Sequence, residues 1–293
     1  MTKTAWVFPG QGSQKVGMIA DLLEAEAAQA RLAEAEAILG WSVVDVTQGE
    51  ESQLSQTLYT QPCLYTVETI LVDALLENGQ QPALMAGHSL GEYVALYGAK
   101  VFDFATGLKL VKQRAELMSQ ATGGTMMAMI GFDREQLNQV IEQTPDVVLA
   151  NDNSDGQAVI SGTPEAVEAV AEAVKTKRAI PLTVSGAFHS PMMADAAKAF
   201  DAVLADVAFQ DAQVPVLSNV DPTPETGAAA LKTRLSQQIT GSVRWREIMA
   251  QIEAQGVEKV IEVGPGNVLT GLFKRSHKAI ARANVASFAA CAG

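Results

Sequence analysis

Gly87-His88-Ser89-Leu90-Gly91-Glu92 decides how this chain is read. The run has the G-x-S-x-G spacing of a nucleophile elbow, with Ser89 at its apex. Leu84-Met85-Ala86 before it is a short apolar strand. Tyr93 to Ala99 after it holds no proline and one late glycine, Gly98, and suits a helix. A serine on a sharp strand-to-helix turn is exposed to substrate. The helix N-terminus behind it offers unpaired N–H groups to a developing negative charge. The expectation is acyl transfer through a covalent serine ester. Glycine-rich turns also produce this pattern with no chemistry attached, so a base elsewhere in the chain is required.

Histidine is the side chain best suited to take the serine proton near neutral pH. The chain has three, His88, His189 and His277. His88 adjoins the serine on a tight turn, where neighbouring side chains diverge, and is expected to be structural. His277 falls in a basic run near the C-terminus, where a surface position is expected. His189 sits in Gly186-Ala187-Phe188-His189-Ser190-Pro191, just after an apolar run, with Ser190 and Pro191 suited to cap and begin a helix. That places His189 on a loop at a strand end, and elimination makes it the candidate base. Spacing leaves the group that orients it open. An acid between residues 89 and 189 or a backbone carbonyl would both serve.

Working outward, Thr4 to Phe8 reads as a buried strand closed by Pro9-Gly10. The loop Gly10-Gln11-Gly12-Ser13-Gln14 that follows fails the dinucleotide fingerprint, because Lys15 stands where the third glycine is needed. It also lacks the Gly-Lys-Ser/Thr of a P-loop. Helices are expected over 18–39, 63–77 and 106–118, the last leaving Lys112 and Arg114 off its apolar stripe. From 125 to 184 the rhythm changes to strand, helix, two strands, helix, strand. This is the βαββαβ order of a ferredoxin-like unit. The expected architecture is therefore α/β. A large α/β-hydrolase-like lobe with a parallel sheet is formed by 1–124 and 185–293, and a small ferredoxin-like lobe by 125–184. Beyond it, Val214–Asn219 and Val257–Val263 read as strands, Trp245–Gln255 as a helix, and Ala283–Gly293 as a fraying tail.

The chain has 293 residues, 48% of them hydrophobic, enough for one large domain or two lobes. Its formal net charge of −12 argues against nucleic acid as the main partner. The two cysteines, Cys63 and Cys291, have neither metal-ligand nor disulfide-framework spacing, and Cys63 reads as a buried small hydrophobe. No metal or cofactor is expected. No signal-peptide pattern or long apolar span is present, so a soluble, cytoplasmic chain with no membrane contact is expected. Charge is uneven: Lys274, Arg275, Lys278 and Arg282 follow one another without an acid, and Arg244 and Arg246 lie upstream. Such a run is either a solvated face or a docking patch for an acidic partner.

Further stretches carry a resemblance. They are Phe8-Pro9-Gly10-Gln11-Gly12-Ser13-Gln14, Gln113-Arg114-Ala115-Glu116-Leu117-Met118, Gln157-Ala158-Val159-Ile160-Ser161-Gly162, Phe188-His189-Ser190-Pro191-Met192-Met193 and Glu262-Val263-Gly264-Pro265-Gly266. With the elbow, and in this order, they resemble the malonyl-CoA:acyl carrier protein transacylases of fatty acid synthesis and the related acyltransferase domains of polyketide synthases. The resemblance covers nearly the whole chain. It implies Ser89 as nucleophile and His189 as general acid/base, with the backbone N–H groups of Gln11 and Leu90 as oxyanion hole. It implies Arg114 as the anchor of the malonyl carboxylate, a task that suits a planar guanidinium fork. Phe188, and Leu90 after the nucleophile, resemble the malonyl-selecting type. The histidine would be oriented by a main-chain carbonyl near Val243-Arg244-Trp245, where some relatives have glutamine in place of Arg244. The implied partners are malonyl-CoA and acyl carrier protein, with the chain a monomer. Arg244, Arg246, Lys274, Arg275 and Lys278 would be docking contacts. An acyl hydrolase with the same elbow and a non-catalytic carrier-binding subunit are the rival readings. Arg114 disfavours the first, and the Ser89, His189 and Arg114 set the second.

Overall fold

The computed structural model describes residues 2–291. Nine strands among the described residues form two sheets. β1 (Thr4–Phe8), β2 (Leu84–Gly87), β7 (Val216–Leu217), β8 (Lys259–Val263) and β9 (Ala281–Val285) build a parallel sheet in the order β7-β2-β1-β8-β9. β3 (Thr125–Ile130), β4 (Val147–Ser154), β5 (Gln157–Gly162) and β6 (Arg178–Pro181) build an antiparallel sheet in the order β4-β5-β3-β6.

β1 is apolar along its length because it is the middle strand of a parallel sheet and is covered on both faces. The chain leaves β1 towards β2 on one side and returns to β8 on the other. Open α/β sheets bind ligands at such a reversal, beyond the carboxyl ends of the strands. There the Gln11 loop follows β1, the Ser89 turn follows β2, Asn219 lies two residues past β7, and Gly264-Pro265-Gly266 follows β8. The antiparallel sheet packs against helices Arg134–Gln143 and Pro164–Ala173. Met129, Leu137, Ile160, Val167 and Val170 make an apolar cluster of its own there. β4 is tied to the segment before the helix Trp245–Ala254 by an isolated parallel bridge between Asn151 and Val243, where the Asp152 N–H donates to the Val243 carbonyl at 2.9 Å.

Several elements differ from expectation. The helix expected over 18–39 begins only at Glu26. Met18, Ile19 and Leu22 are core residues, but Gly17 turns left-handed (φ 79°) and its N–H is taken by Thr47 O, so their apolar pattern serves a folded loop. The helix expected from 63 starts at Thr57 and carries Pro62 in its second turn. β4 runs on to Ser154 through the polar Asn151-Asp152-Asn153, whose partners lie across the molecule. The last strand of the antiparallel sheet ends at Pro181, which releases Leu182 and Val184 towards the cleft described below. The expected fraying tail is instead β9, in register with β8 from Lys259↔Ala281 to Val263↔Val285, followed by a helix Phe288–Cys291. Pairing with β8 decides its state, which local composition does not encode. Residues 292–293 lie outside the described residues. Cys63 and Cys291 are both buried free thiols. Among the described residues no helix is long and apolar enough to cross a membrane.

Candidate active site

Ser89 has left-handed backbone geometry (φ 51°), as a nucleophile elbow requires. The flanking glycines are dictated by close approach. A Cβ on Gly87 would meet the backbone of Gly91, and one on Gly91 would meet Phe8 O. Asn219, fully buried, clamps the turn: its Oδ1 accepts from the Ser89 N–H at 2.7 Å and its Nδ2 donates to Gly87 O at 2.6 Å. The helix Gly91–Gly98 starts directly behind the serine.

His189 also stands on left-handed backbone (φ 57°), ahead of a short helical turn, Pro191–Met193, which Ser190 caps by accepting from the Met192 N–H. Its Nε2 lies 2.8 Å from Ser89 Oγ. Its Nδ1 faces two carbonyl oxygens, Gln238 O at 3.0 Å and Gly241 O at 3.1 Å. Carbonyls only accept, so Nδ1 carries the proton and Nε2 presents a lone pair to the serine hydroxyl. The orienting group is therefore a carbonyl pair. It lies a few residues upstream of the Val243-Arg244-Trp245 segment to which the resemblance pointed. Burial, and secondarily the Arg114 charge, push the His189 pKa down to about 3. The free imidazole is neutral and ready to accept a proton at neutral pH.

Arg114 is fully buried on the helix Phe104–Ser119. Its Nη2 donates to Ser89 Oγ at 3.0 Å and to Gln238 Oε1 at 3.0 Å, and its Nη1 donates to Gln61 Oε1 at 2.8 Å. All three acceptors are uncharged. Nε has no partner among the described residues. Burying a guanidinium without a paired anion is costly, which suits a site that receives an anion from its ligand.

Gln11, Ser89, Leu90, Arg114, Phe188 and His189 line one cleft of about 80 Å³, together with Gln61, His88, Met118, Met126, Asn151, Leu182 and Val184. Binding pockets for drug-sized ligands measure about 300–1,000 Å³, so the cleft takes only a small acyl group at the serine. A roomier cavity of about 580 Å³, lined by Ser55, Thr57, Ser119 and Ser185 among others, adjoins it through the shared Val184. His88 turns away from the serine. Its Nε2 lies 2.8 Å from Asn153 Oδ1 and its ring packs against Trp245, the structural part expected of it.

The basic residues do not gather at the cleft. Arg244 is bound to Glu247 (2.8 Å) and to Val220 O (3.0 Å), and Arg246 to Asp152 (3.0 Å). Lys274, Arg275 and Lys278 are exposed on and just after the helix Val268–Ser276, with Arg275 donating to Gln157. His277 is mostly covered, near Phe273 and 3.9 Å from Glu253, where the sequence suggested a surface position. Gln61, Asn219 and Gln238 were not anticipated. Lone amides within a helix, at its end or past a strand carry no spacing signal. Gln238 touches the base through its carbonyl and both Arg114 and Ser89 O through its side chain.

An acyl transferase domain model matches residues 5–291. The chain belongs to the acyl transferase domain family. The malonyl CoA-acyl carrier protein transacylase of Synechocystis sp. is 58% identical over 274 residues, covering 94% of each chain. That of Escherichia coli K12 is 43% identical over 287 residues, covering 94% of this chain and 93% of its own. Among solved structures, the malonyl-CoA:ACP transacylase of Synechocystis sp. PCC 6803 superposes with a TM-score of 0.97 at 55% identity, over 99% of both chains. A structure of a type II polyketide synthase acyl-carrier protein in complex with its malonyl-transacylase matches with a TM-score of 0.94 at 40% identity, over 99% of this chain and 98% of that one. The mixed architecture of one parallel and one antiparallel sheet is shared with these acyl transferase structures.

Proposed function

We propose that this chain transfers the malonyl group of malonyl-CoA to the phosphopantetheine thiol of acyl carrier protein through an ester on Ser89, supplying fatty acid synthesis. One observation carries the reading: a neutral His189 and an anion-free Arg114 converge on the same serine oxygen, at 2.8 and 3.0 Å. The first activates a nucleophile, and the second suits an acyl group that bears its own carboxylate.

In this reading the malonyl carboxylate docks on Arg114. Ser89 Oγ attacks the thioester carbonyl as its proton passes to His189 Nε2. The oxyanion is held by the N–H groups of Gln11 and Leu90, which donate to no protein oxygen among the described residues. Each such donor is worth about 3–4 kcal/mol to the transition state. Collapse expels the CoA thiolate, which takes the proton from His189 and leaves malonyl-Ser89. The pantetheine thiol then gives its proton to His189, attacks the ester, and the serine recovers the proton. Phe188, buried at the cleft wall, crowds an α-methyl branch.

The division into a hydrolase-like lobe (1–124 and 185–293) and an inserted ferredoxin-like lobe (125–184) is part of the proposal. The separate apolar cluster of the antiparallel sheet supports it. For the acidic carrier, the exposed Lys274, Arg275 and Lys278 are the favoured docking contacts. Arg244 and Arg246 rank below them because their charges are already paired. The test is incubation with malonyl-CoA, mass measurement of Ser89, then addition of phosphopantetheinylated carrier protein. The expected result is a malonyl adduct on Ser89 that moves to the carrier thiol. Release of free malonate instead, with none on the carrier, would make the chain a hydrolase.

A further inference from the structure

Glu92 closes the elbow sequence, yet the chemistry above gives it no part. It is fully buried, and its Oε2 accepts from the Gln238 Nε2 at 2.7 Å and from the Asn219 N–H at 3.1 Å. Both lone pairs of Oε2 are thus taken by N–H donors, while Oε1 is buried with no partner among the described residues. Gln238 then spends the other end of the same carboxamide on Arg114, whose Nη2 donates to Oε1 at 3.0 Å. The three groups form a line, guanidinium to amide oxygen and amide N–H to carboxylate. No ion pair joins Arg114 to any carboxylate among the described residues. Gln61, on the other terminal nitrogen, is likewise an amide.

We propose that Glu92 is the counter-ion of Arg114, set one carboxamide away by Gln238, and that this spacing tunes the cleft's affinity for the acyl carboxylate. A carboxylate directly on the guanidinium would occupy the donors a substrate needs. No carboxylate at all would leave a bare cation in the core. The intermediate arrangement keeps the charge tolerable and its donors exchangeable. Glu92 is thus a positioning residue that acts through Gln238 without touching substrate. Burial raises the Glu92 pKa above the ordinary carboxylate value, and the Gln238 and Asn219 donors and the Arg114 charge act in the opposite direction, towards the ionised form.

The inference rests on Arg114 as the carboxylate anchor, and the experiment separates the two. Half-saturation for acylation of Ser89 is measured with malonyl-CoA and with acetyl-CoA, which lacks the carboxylate. Glu92→Gln preserves an acceptor for both N–H groups and removes only the charge. It should tighten malonyl-CoA half-saturation by roughly five- to fiftyfold, for a charge acting from one carboxamide away at an effective dielectric of about 20–40, and leave acetyl-CoA nearly unchanged. Gln61→Glu, which places a carboxylate directly on Arg114, should weaken malonyl-CoA by a larger factor than acetyl-CoA; it also serves if Glu92→Gln does not fold. In an Arg114→Ala background, Glu92→Gln should no longer shift the malonyl-to-acetyl ratio. If Arg114→Ala alone leaves that ratio unchanged, the anchor reading fails. If Arg114→Ala collapses the ratio while Glu92→Gln or Gln61→Glu moves both substrates in parallel, the counter-ion role is overturned and Glu92 is only a structural support.

Discussion

Asn219→Ala should loosen the elbow without touching any group that reacts. The Asn219 carboxamide is the cross-piece of the turn, bonded to the Ser89 N–H at 2.7 Å and to Gly87 O at 2.6 Å. Gly87 is buried, so truncation strands its carbonyl, while the partly exposed Ser89 N–H recovers some hydration. A stranded buried backbone group costs about 1–3 kcal/mol and a lost bond about 1 kcal/mol. The sum is about 2–4 kcal/mol of stability. For a chain of 293 residues that corresponds to roughly 3–7 °C in Tm. Left-handed backbone at a non-glycine residue costs about 1–2 kcal/mol, and without its clamp Ser89 gains by relaxing. A displacement near 1 Å from His189 can lower acylation by about a hundredfold. Calorimetry and the rate of Ser89 acylation read both effects. Asn219→Asp is the matched control, since a carboxylate still accepts from Ser89 but has no donor for Gly87 O, and it should recover little. An Asn219→Ala protein that melts within about 1 °C of wild type and acylates normally would refute the argument.

Four further outcomes follow from the structure. Arg114→Ala should lower kcat/KM for malonyl-CoA by about 30- to 5,000-fold, the 2–5 kcal/mol of a truncated buried charge pair, with a much smaller change for acetyl-CoA. Because His189 is pushed down to about 3 in the fold, the acid limb of kcat/KM for acylation should lie well below the ordinary histidine value of about 6.5, and Arg114→Ala should move it up. The same shift makes the unfolded chain bind the proton first. Stability from His189 is full above about pH 6.5 and is lost as pH falls from there towards 3, as measured by denaturant titration across that window. Replacing Lys274, Arg275 and Lys278 together by Glu should raise KM for acyl carrier protein about tenfold or more at low salt and leave acylation by malonyl-CoA unchanged. A parallel loss in both half-reactions would remove these residues from the docking surface.

The part of the site legible in the sequence is the part written in local geometry. Gly87 and Gly91 are required by close approach around a left-handed serine, and the strand before and helix after follow from short apolar runs. His189 could be found because so few histidines compete with it. Arg114 was indicated only by likeness to a family, since its helix gives no reason for an arginine to point inwards. Gln61, Asn219 and Gln238 stayed hidden because each acts across the fold, Gln238 reaching the serine carbonyl from 149 residues away. The same limit explains β9 and the extension of β4. An alanine-rich tail and an Asn-Asp-Asn run become strands only when β8, β5 and Val243 supply partners.

The positive φ shared by Ser89 and His189 bounds what can replace them. Threonine offers the same hydroxyl, but a β-branched side chain is a steric outlier in left-handed backbone, so a secondary alcohol is shut out of position 89 on conformation alone. Cysteine meets no such bar, which leaves sulfur as the one chemical drift open to the nucleophile. At 189 the residues most favoured on this backbone are glycine, asparagine, aspartate and histidine, and of these only histidine is a base near neutral pH. The handedness of two residues thus narrows the chemistry before a substrate arrives.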